Sequence, residues 1–109
     1  MKILILDDEI SDLISFMLRR RGLITYPVSS IAEGEEVLKS SNMDVVLIDV
    51  RLHKESGIDF IKIAKKYGCK VIMTTAYVDA EEKAKEAGAD GYIRKPFSHE
   101  DILHAIKEI

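Results

Sequence analysis

The stretch Asp44-Val45-Val46-Leu47-Ile48-Asp49 decides the fold that this sequence predicts. Its four consecutive apolar residues, three of them Val or Ile, predict a short strand that is buried on both faces, which is typical of a parallel sheet. The strand ends in a carboxylate, and the polar segment after it ends at Gly57, where a new helical pattern begins. Asp49 is therefore predicted at the carboxyl edge of an open α/β sheet, where ligands bind and chemistry takes place.

The rest of the chain repeats this alternation of apolar strand and amphipathic helix. Four further strands are predicted at residues 2–6, 23–28, 71–75 and 92–94, and five helices at residues 10–18, 30–41, 58–64, 79–87 and 98–109. Pro27 cannot donate to a strand ladder, so its strand is expected at the edge of the sheet. We therefore predict a flavodoxin-like, doubly wound α/β fold, with a five-stranded parallel sheet in the order 2-1-3-4-5 and five helices.

Three helix starts carry capping patterns. Ser30 is followed by Glu33, Asp79 by Glu82 and Ser98 by Asp101. In each pair the first side chain can accept from an unpaired N–H of the first turn.

Length and composition predict one soluble domain that spans residues 1–109, because 47% hydrophobic and 32% charged residues are ordinary for a chain with a single core. The net charge of −3 argues against direct binding of nucleic acid, which needs clustered Lys and Arg. The single cysteine, Cys69, excludes an internal disulfide. With no apolar run of membrane-spanning length and no signal peptide, we expect no membrane association and a cytoplasmic protein.

Polar side chains follow four of the predicted strands at the edge where their carboxyl ends meet. They are Asp7, Asp8, Asp49, Thr75 and Lys95. Three carboxylates within about 5 Å of one another would repel by about 3 kcal/mol per pair at an effective dielectric constant of about 20, so a cation is required. Mg²⁺ suits such a site, Lys95 supplies a second positive charge, and the Thr75 hydroxyl can donate to an oxyanion. The cluster predicts attack by one carboxylate on a phosphoryl group.

These motifs resemble the receiver domain of two-component response regulators across essentially the whole chain. The matching segments are Leu6-Asp7-Asp8-Glu9, Ile48-Asp49 with Gly57 eight residues on, Thr75-Ala76, and Gly88-Ala89-Asp90-Gly91-Tyr92-Ile93-Arg94-Lys95-Pro96-Phe97. The resemblance implies a signalling phosphoacceptor that assists its own phosphorylation and dephosphorylation, and not an enzyme acting on a separate substrate.

The resemblance also assigns a role to each residue of the predicted cluster. It implies that Asp49 is the phosphoacceptor and one of the Mg²⁺ ligands. Asp8 would be a direct Mg²⁺ ligand, the Arg51 carbonyl another, and Asp7 a ligand mostly through water. Lys95 and Thr75 would contact the phosphate, and Tyr92 would be an aromatic switch. The phosphodonor would be a histidine kinase or a phosphotransfer protein, with docking expected near Phe16 on the first helix. An output domain or target protein would read the face formed by helix 4, strand 5 and helix 5, and phosphorylation-dependent dimerisation is a further expectation.

The sequence departs from the family pattern in the loop after Asp49. His53 stands where the family usually has Pro, which puts a titratable ring near the site. Arg51 and Tyr77 occupy positions that flank the phosphoryl group in the family. A bulky basic side chain and an aromatic ring at these positions predict slower attack by water and a longer-lived phosphate.

Three other interpretations share part of this pattern. A phosphatase with an aspartyl-phosphate intermediate usually has an Asp-x-Asp arrangement after its first strand, whereas Asp7 and Asp8 are adjacent here. A flavin-binding module of the same fold would have a Ser/Thr-rich phosphate loop in that place. A receiver-like docking module that works without phosphate would have no need of the intact cluster. Whether the chain is a stand-alone regulator or an N-terminal domain stays open at this point.

Overall fold

The computed structural model describes residues 1–8, 10, 12–52, 55–76 and 80–109. The strands are β1 (Lys2–Leu6), β2 (Ile24–Pro27), β3 (Val45–Asp49), β4 (Arg51–Leu52), β5 (Glu55–Ser56), β6 (Lys70–Thr75) and β7 (Gly91–Arg94). The helices are α1 (Asp12–Arg20), α2 (Ile31–Ser40), α3 (Gly57–Lys66), α4 (Ala80–Ala87) and α5 (His99–Glu108). Within the described residues, no helix combines the length and the apolar character that crossing a membrane would require.

The main sheet is parallel throughout and has the strand order β2-β1-β3-β6-β7. Counted along the chain, these five strands lie in the predicted order 2-1-3-4-5, so the flavodoxin-like fold is confirmed. The strand that contains Pro27 is an edge strand, as its missing N–H requires.

Each face of the sheet buries its own apolar cluster. All five residues of β3 are buried, and its four apolar residues alternate between the two clusters. Val46 and Ile48 face the cluster that contains residues of α2, α3 and α4, whereas Val45 and Leu47 face the cluster beneath α1 and α5. Full burial of each large aliphatic side chain stabilises the fold by up to about 3 kcal/mol, so β3 contributes strongly to the stability of both apolar clusters.

The cysteine belongs to this core. Cys69 is 1% exposed and its Sγ–H points at the carbonyl oxygen of Met43 at 3.4 Å. Burial and the nearby charge of Asp44 raise the pKa of its thiol, against the opposing charge of Lys65. Cys69 is therefore a packing residue and an unreactive thiol.

The chain between β3 and α3 differs from the plain polar loop that the sequence predicts. It contains β4 and β5, which pair antiparallel as a separate two-stranded ribbon. Strands of two residues are too short to show a hydrophobic period, which is why the sequence pattern does not reveal them. Gly57 then starts α3 against the end of β3, where a Cβ atom would lie 2.0 Å from the carbonyl oxygen of Asp49. Only glycine allows this close approach.

The capping patterns are present at two helix starts. Ser98 and Asp101 form the reciprocal box, with N···O distances of 2.8 and 3.3 Å. The Ser30 hydroxyl accepts from the N–H of Glu33 at 3.1 Å, while the Glu33 carboxylate accepts from the neighbouring Ser29 hydroxyl. The third predicted cap, Asp79, lies outside the described residues.

Candidate functional site

A lysine bridges two aspartates at the carboxyl end of the sheet. Lys95 Nζ lies 2.6 Å from Asp49 Oδ2 and 3.4 Å from Asp7 Oδ1. The exposed fractions of the three side chains are 9% for Lys95, 12% for Asp49 and 0% for Asp7. The structure thus brings together three of the predicted residues, as a group of charges largely removed from water.

The strand ends place this group. Asp7 directly follows β1, Asp49 is the last residue of β3, and Lys95 directly follows β7. The Lys95 N–H donates to the carbonyl of Thr75 at 2.8 Å, and the Lys95–Pro96 peptide bond is cis. The Arg51 N–H donates to Asp49 Oδ1 at 3.1 Å, so both carboxylate oxygens of Asp49 have a protein donor.

Two adjacent threonines end β6, and they point to opposite faces of the sheet. Thr75 is fully buried, and strand alternation directs its side chain to the face that Met73 shares with α3 and α4. Thr74, also fully buried, points to the other face, where its Oγ1–H donates to Asp7 Oδ2 at 2.5 Å.

The sequence analysis predicts Thr75 as a contact of the phosphoryl group, which stays a prediction, and it did not single out Thr74 as a partner of Asp7. The missing signal was the register: Asp49 pairs with Thr74 across β3 and β6, which puts their side chains on the same face. A sequence alone does not show which of two neighbouring threonines shares a face with the aspartates.

The structure does not bring the three predicted carboxylates, all of which are among its described residues, together as one metal-binding cluster. Asp8 is exposed, and no three acidic, His or Cys side chains of the described residues lie close enough together to hold a metal ion. Lys95 instead lies between Asp7 and Asp49 and relieves their repulsion. One ammonium beside two carboxylates still leaves a net charge of about −1. Carboxylate oxygens with that net charge fit a hard divalent cation that retains several waters.

The face formed by α4, β7 and α5 carries the predicted switch residue. Tyr92 is 36% exposed, and the Lys85 ammonium of α4 lies 5.2 Å from the centre of its ring. Arg94 Nε lies 3.0 Å from Glu81 Oε1, which makes a second contact between β7 and α4. A groove of about 430 Å³ is lined by residues of β7 and α5, including His104.

The outer surface of α1 exposes an apolar pair. Leu13 is 68% exposed and Phe16 is 50% exposed, and the guanidinium of Arg20 lies 5.9 Å from the centre of the Phe16 ring. Glu9, His53 and Tyr77, which the sequence also singled out, lie outside the described residues.

The fold and the group of charges at its carboxyl edge define a flavodoxin-like α/β domain with a charged site at the ends of its strands, and comparison with known proteins gives the family. The model of the response regulator receiver domain matches residues 3–107, so the chain belongs to the response regulator receiver domain family. The receiver domain is a signalling domain of two-component systems.

Solved structures agree with this assignment. The chain is 32% identical to a CheY-like response regulator receiver domain protein from Methanospirillum hungatei JF-1, with a TM-score of 0.88, and the match covers 98% of this chain and 90% of that one. It is 34% identical to a receiver domain protein from Clostridium thermocellum, with a TM-score of 0.84 and coverages of 97% and 90%.

A third structure is more distant in sequence. A response regulator from Burkholderia pseudomallei, solved with a phosphorylated aspartic acid, a calcium ion and citrate, has 24% identity and a TM-score of 0.88. The match covers 95% of this chain but 65% of that protein, so the chain spans about two thirds of its length. At this identity the likeness concerns the fold.

Proposed function

We propose that residues 1–109 form a receiver domain that accepts a phosphoryl group on Asp49 from a histidine kinase or a phosphotransfer protein. The observation that carries the proposal is the Lys95 ammonium 2.6 Å from Asp49 and 3.4 Å from Asp7, at the carboxyl edge of a receiver fold. The Asp49 side chain is 12% exposed, whereas that of Asp7 is fully buried, so Asp49 is the more accessible of the two carboxylates.

In the transfer, a carboxylate oxygen of Asp49 attacks the phosphorus of the donor. A P–O bond forms to Asp49, the P–N bond to the donor imidazole breaks, and the imidazole leaves with the bonding electron pair and takes up a proton. Lys95 is held against Asp49 beforehand and can follow the negative charge onto the phosphoryl oxygens. The Arg51 N–H keeps the carboxylate oriented through Oδ1.

Asp8, Asp49 and the Arg51 carbonyl are the groups that we propose as direct Mg²⁺ ligands, with Asp7 acting mostly through water. When bound, Mg²⁺ supplies positive charge that offsets the phosphoryl oxygens. The residual negative charge of the Asp7, Asp49 and Lys95 group supports this assignment. The same residues would assist hydrolysis of the aspartyl phosphate, and the side chain of Arg51, two residues after the acceptor, would slow the entry of water.

The signal would leave through the face formed by α4, β7 and α5. Phosphorylation adds charge of about −1 and new acceptor oxygens at Asp49. We propose that these attract Lys95 and Thr75, and that Tyr92 then turns inward, away from the Lys85 ammonium. A hundredfold shift in population needs a differential interaction of only about 2.7 kcal/mol. An output domain, a target protein or a second copy of the domain would read the changed face.

The decisive experiment is intact-mass spectrometry after incubation with acetyl phosphate, with and without Mg²⁺. Wild type should gain one phosphoryl group in the presence of Mg²⁺, and Asp49→Asn should gain none. Asp90→Asn is the matched control, because it removes a carboxylate from the opposite edge of the same sheet and should leave the adduct unchanged. An adduct that persists in Asp49→Asn would refute the assignment, and repeated turnover of acetyl phosphate without an adduct would favour the phosphatase interpretation.

The kinase is proposed to dock on the exposed pair Leu13 and Phe16 of α1, in the cytoplasm. Phe16→Ala should lower the rate of phosphotransfer from the kinase about tenfold and leave the reaction with acetyl phosphate unchanged, because truncation of a central aromatic anchor costs about 1 to 2 kcal/mol. Tyr67→Ala is the control, since Tyr67 is also a 44% exposed aromatic but lies after α3. Equal rates for wild type and Phe16→Ala would remove this surface from the kinase interface.

A further inference from the structure

The Asp7 carboxylate is held by a strand that is not its neighbour. Asp7 follows β1 and Thr74 lies in β6, and β3 runs between these two strands. Alternate strands are about 9.5 Å apart, so the Asp7 side chain must lean across the end of β3 to reach the Thr74 hydroxyl. The O···O distance of 2.5 Å is that of a charge-assisted hydrogen bond.

The two carboxylate oxygens of Asp7 have different partners. Oδ2 accepts from Thr74, and Oδ1 faces Lys95 at 3.4 Å. The Asp7 side chain is fully buried, and so is the whole Thr74 residue, so water does not compete readily for the hydroxyl. With Oδ2 committed to the protein, Asp7 presents Oδ1 to the site in a fixed orientation, directly beside Asp49.

We propose that Thr74 is a positioning residue that sets the affinity of this domain for its divalent cation by fixing the Asp7 carboxylate over the end of β3. The inference rests on the proposed function, because it takes Asp7 as part of the cation site. Hydrogen bonds to the groups around a metal orient them, and loss of such a partner typically lowers metal affinity by about 10- to 100-fold.

The test is a titration of the folded domain with MgCl₂, followed by ¹H–¹⁵N NMR, which reports both the affinity and the integrity of the fold. Thr74→Val keeps the shape of the side chain but removes the donor, and should weaken Mg²⁺ binding by about tenfold. Thr74→Ser restores the hydroxyl and should bind close to wild type. If Thr74→Val lacks a native spectrum, Thr74→Ala takes its place.

Thr25→Val provides a matched control within the same sheet. Thr25 lies in β2, and its buried hydroxyl has no hydrogen-bond partner in the part of the chain that the structure describes. This variant should bind Mg²⁺ as wild type does. In an Asp7→Asn background, Thr74→Val should cause no further loss, because the hydroxyl acts through Asp7.

Each outcome separates this inference from the proposed function. Wild-type affinity in Thr74→Val, equal losses in the Val and Ser variants, or a further loss in the Asp7→Asn background would overturn the role of Thr74 and leave the phosphoacceptor assignment intact. A wild-type protein that binds no Mg²⁺ would overturn the cation site itself, and the role of Thr74 with it.

Discussion

Aspartates lie at both ends of the sheet, exposed at the amino end and buried at the carboxyl end for Asp7 and Asp49, and their partners differ. At the amino end, Asp90 Oδ2 accepts from the Val71 N–H and from Lys65 Nζ, both at 2.8 Å. Asp44 Oδ2 accepts from the Lys2 N–H at 2.7 Å. At the carboxyl end, the main cationic partner of Asp49 is a single side chain, Lys95, which also contacts Asp7.

The direction of a parallel strand explains this difference. A strand that begins presents N–H groups, which donate to a carboxylate, whereas a strand that ends presents carbonyl groups, which cannot. Aspartates at the amino end are therefore built into the backbone network and stabilise it. The two aspartates at the carboxyl end share one lysine ammonium in addition to their other donors, and the group retains excess negative charge, which is the property that a cation and a phosphoryl group can use.

The largest effect on stability is expected when the carboxyl end loses its cation. Lys95→Met leaves Asp7 and Asp49 buried without their shared partner, and should lower the free energy of unfolding by about 3 to 5 kcal/mol, measured by urea denaturation without Mg²⁺. The control Lys65→Met removes the ammonium from the amino end, where the Val71 N–H still donates to Asp90. This variant should lower the free energy of unfolding much less than Lys95→Met does. Equal losses in both variants would contradict the contrast between the two ends.

Gly57→Ala should disturb the end of β3 without changing any charge. The added Cβ would lie 2.0 Å from the carbonyl oxygen of Asp49, a backbone atom that cannot move aside. We expect a loss of about 3 kcal/mol in the free energy of unfolding. In the control Gly34→Ala, the nearest atoms are side-chain ends of Leu6 and Phe60 at 3.0 and 3.1 Å, which can adjust, so a loss as large as that of Gly57→Ala would argue against a backbone clash.

Asp90→Asn should lower stability by about 2 kcal/mol and should do so only where Asp90 is ionised. Burial alone would raise the pKa of Asp90, but the hydrogen bonds from Lys65 and Val71 and the charges of Lys65 and Lys70 hold it below its ordinary value of 3.8.

The sign of this pH dependence follows from the lowered pKa. The unfolded chain binds a proton at higher pH than the folded one, so the contribution of Asp90 is complete above pH 3.8 and is lost as the pH falls through the lower folded value. Urea denaturation of both proteins at about pH 6 and about pH 3 checks this. A stability difference that is constant over this range would show that the carboxylate charge is not what holds β6 to β7.

The smallest effect is expected on the face between the two ends. Glu81→Gln breaks the ion pair with Arg94, whose side chain is 58% exposed, and should change the free energy of unfolding by less than about 1 kcal/mol. This variant is compared with Lys95→Met. The exposed ion pair of Glu81 and Arg94 should contribute far less to the free energy of unfolding than the buried pair of Lys95 and Asp49, although the distances are similar. A loss of several kcal/mol would mean that α4 is fastened to β7 more firmly than its exposure suggests.

Much of this protein follows from its sequence alone. Burial of the four consecutive apolar residues from Val45 to Ile48 is strongly favourable, so this run predicts a buried parallel strand. Pro27 lacks an N–H and therefore predicts the edge of the sheet. Regular alternation then brings every strand end to one of two edges, which is enough to place Asp7, Asp49 and Lys95 together. These predictions depend on the hydrophobic periodicity of short segments and on which residues can form backbone hydrogen bonds, and both can be read from the sequence.

The tertiary structure alone decided which atoms meet. Lys95 lies between two aspartates, and Thr74, which the sequence did not single out, donates to Asp7, because the register between β3 and β6 and the position of the Asp7 side chain across the end of β3 depend on the whole sheet. The β4–β5 ribbon and the contact of Gly57 with the Asp49 carbonyl likewise come from packing between distant segments. Distances of a few ångströms between residues far apart in the chain are set by all of the packing at once, and no local pattern contains them.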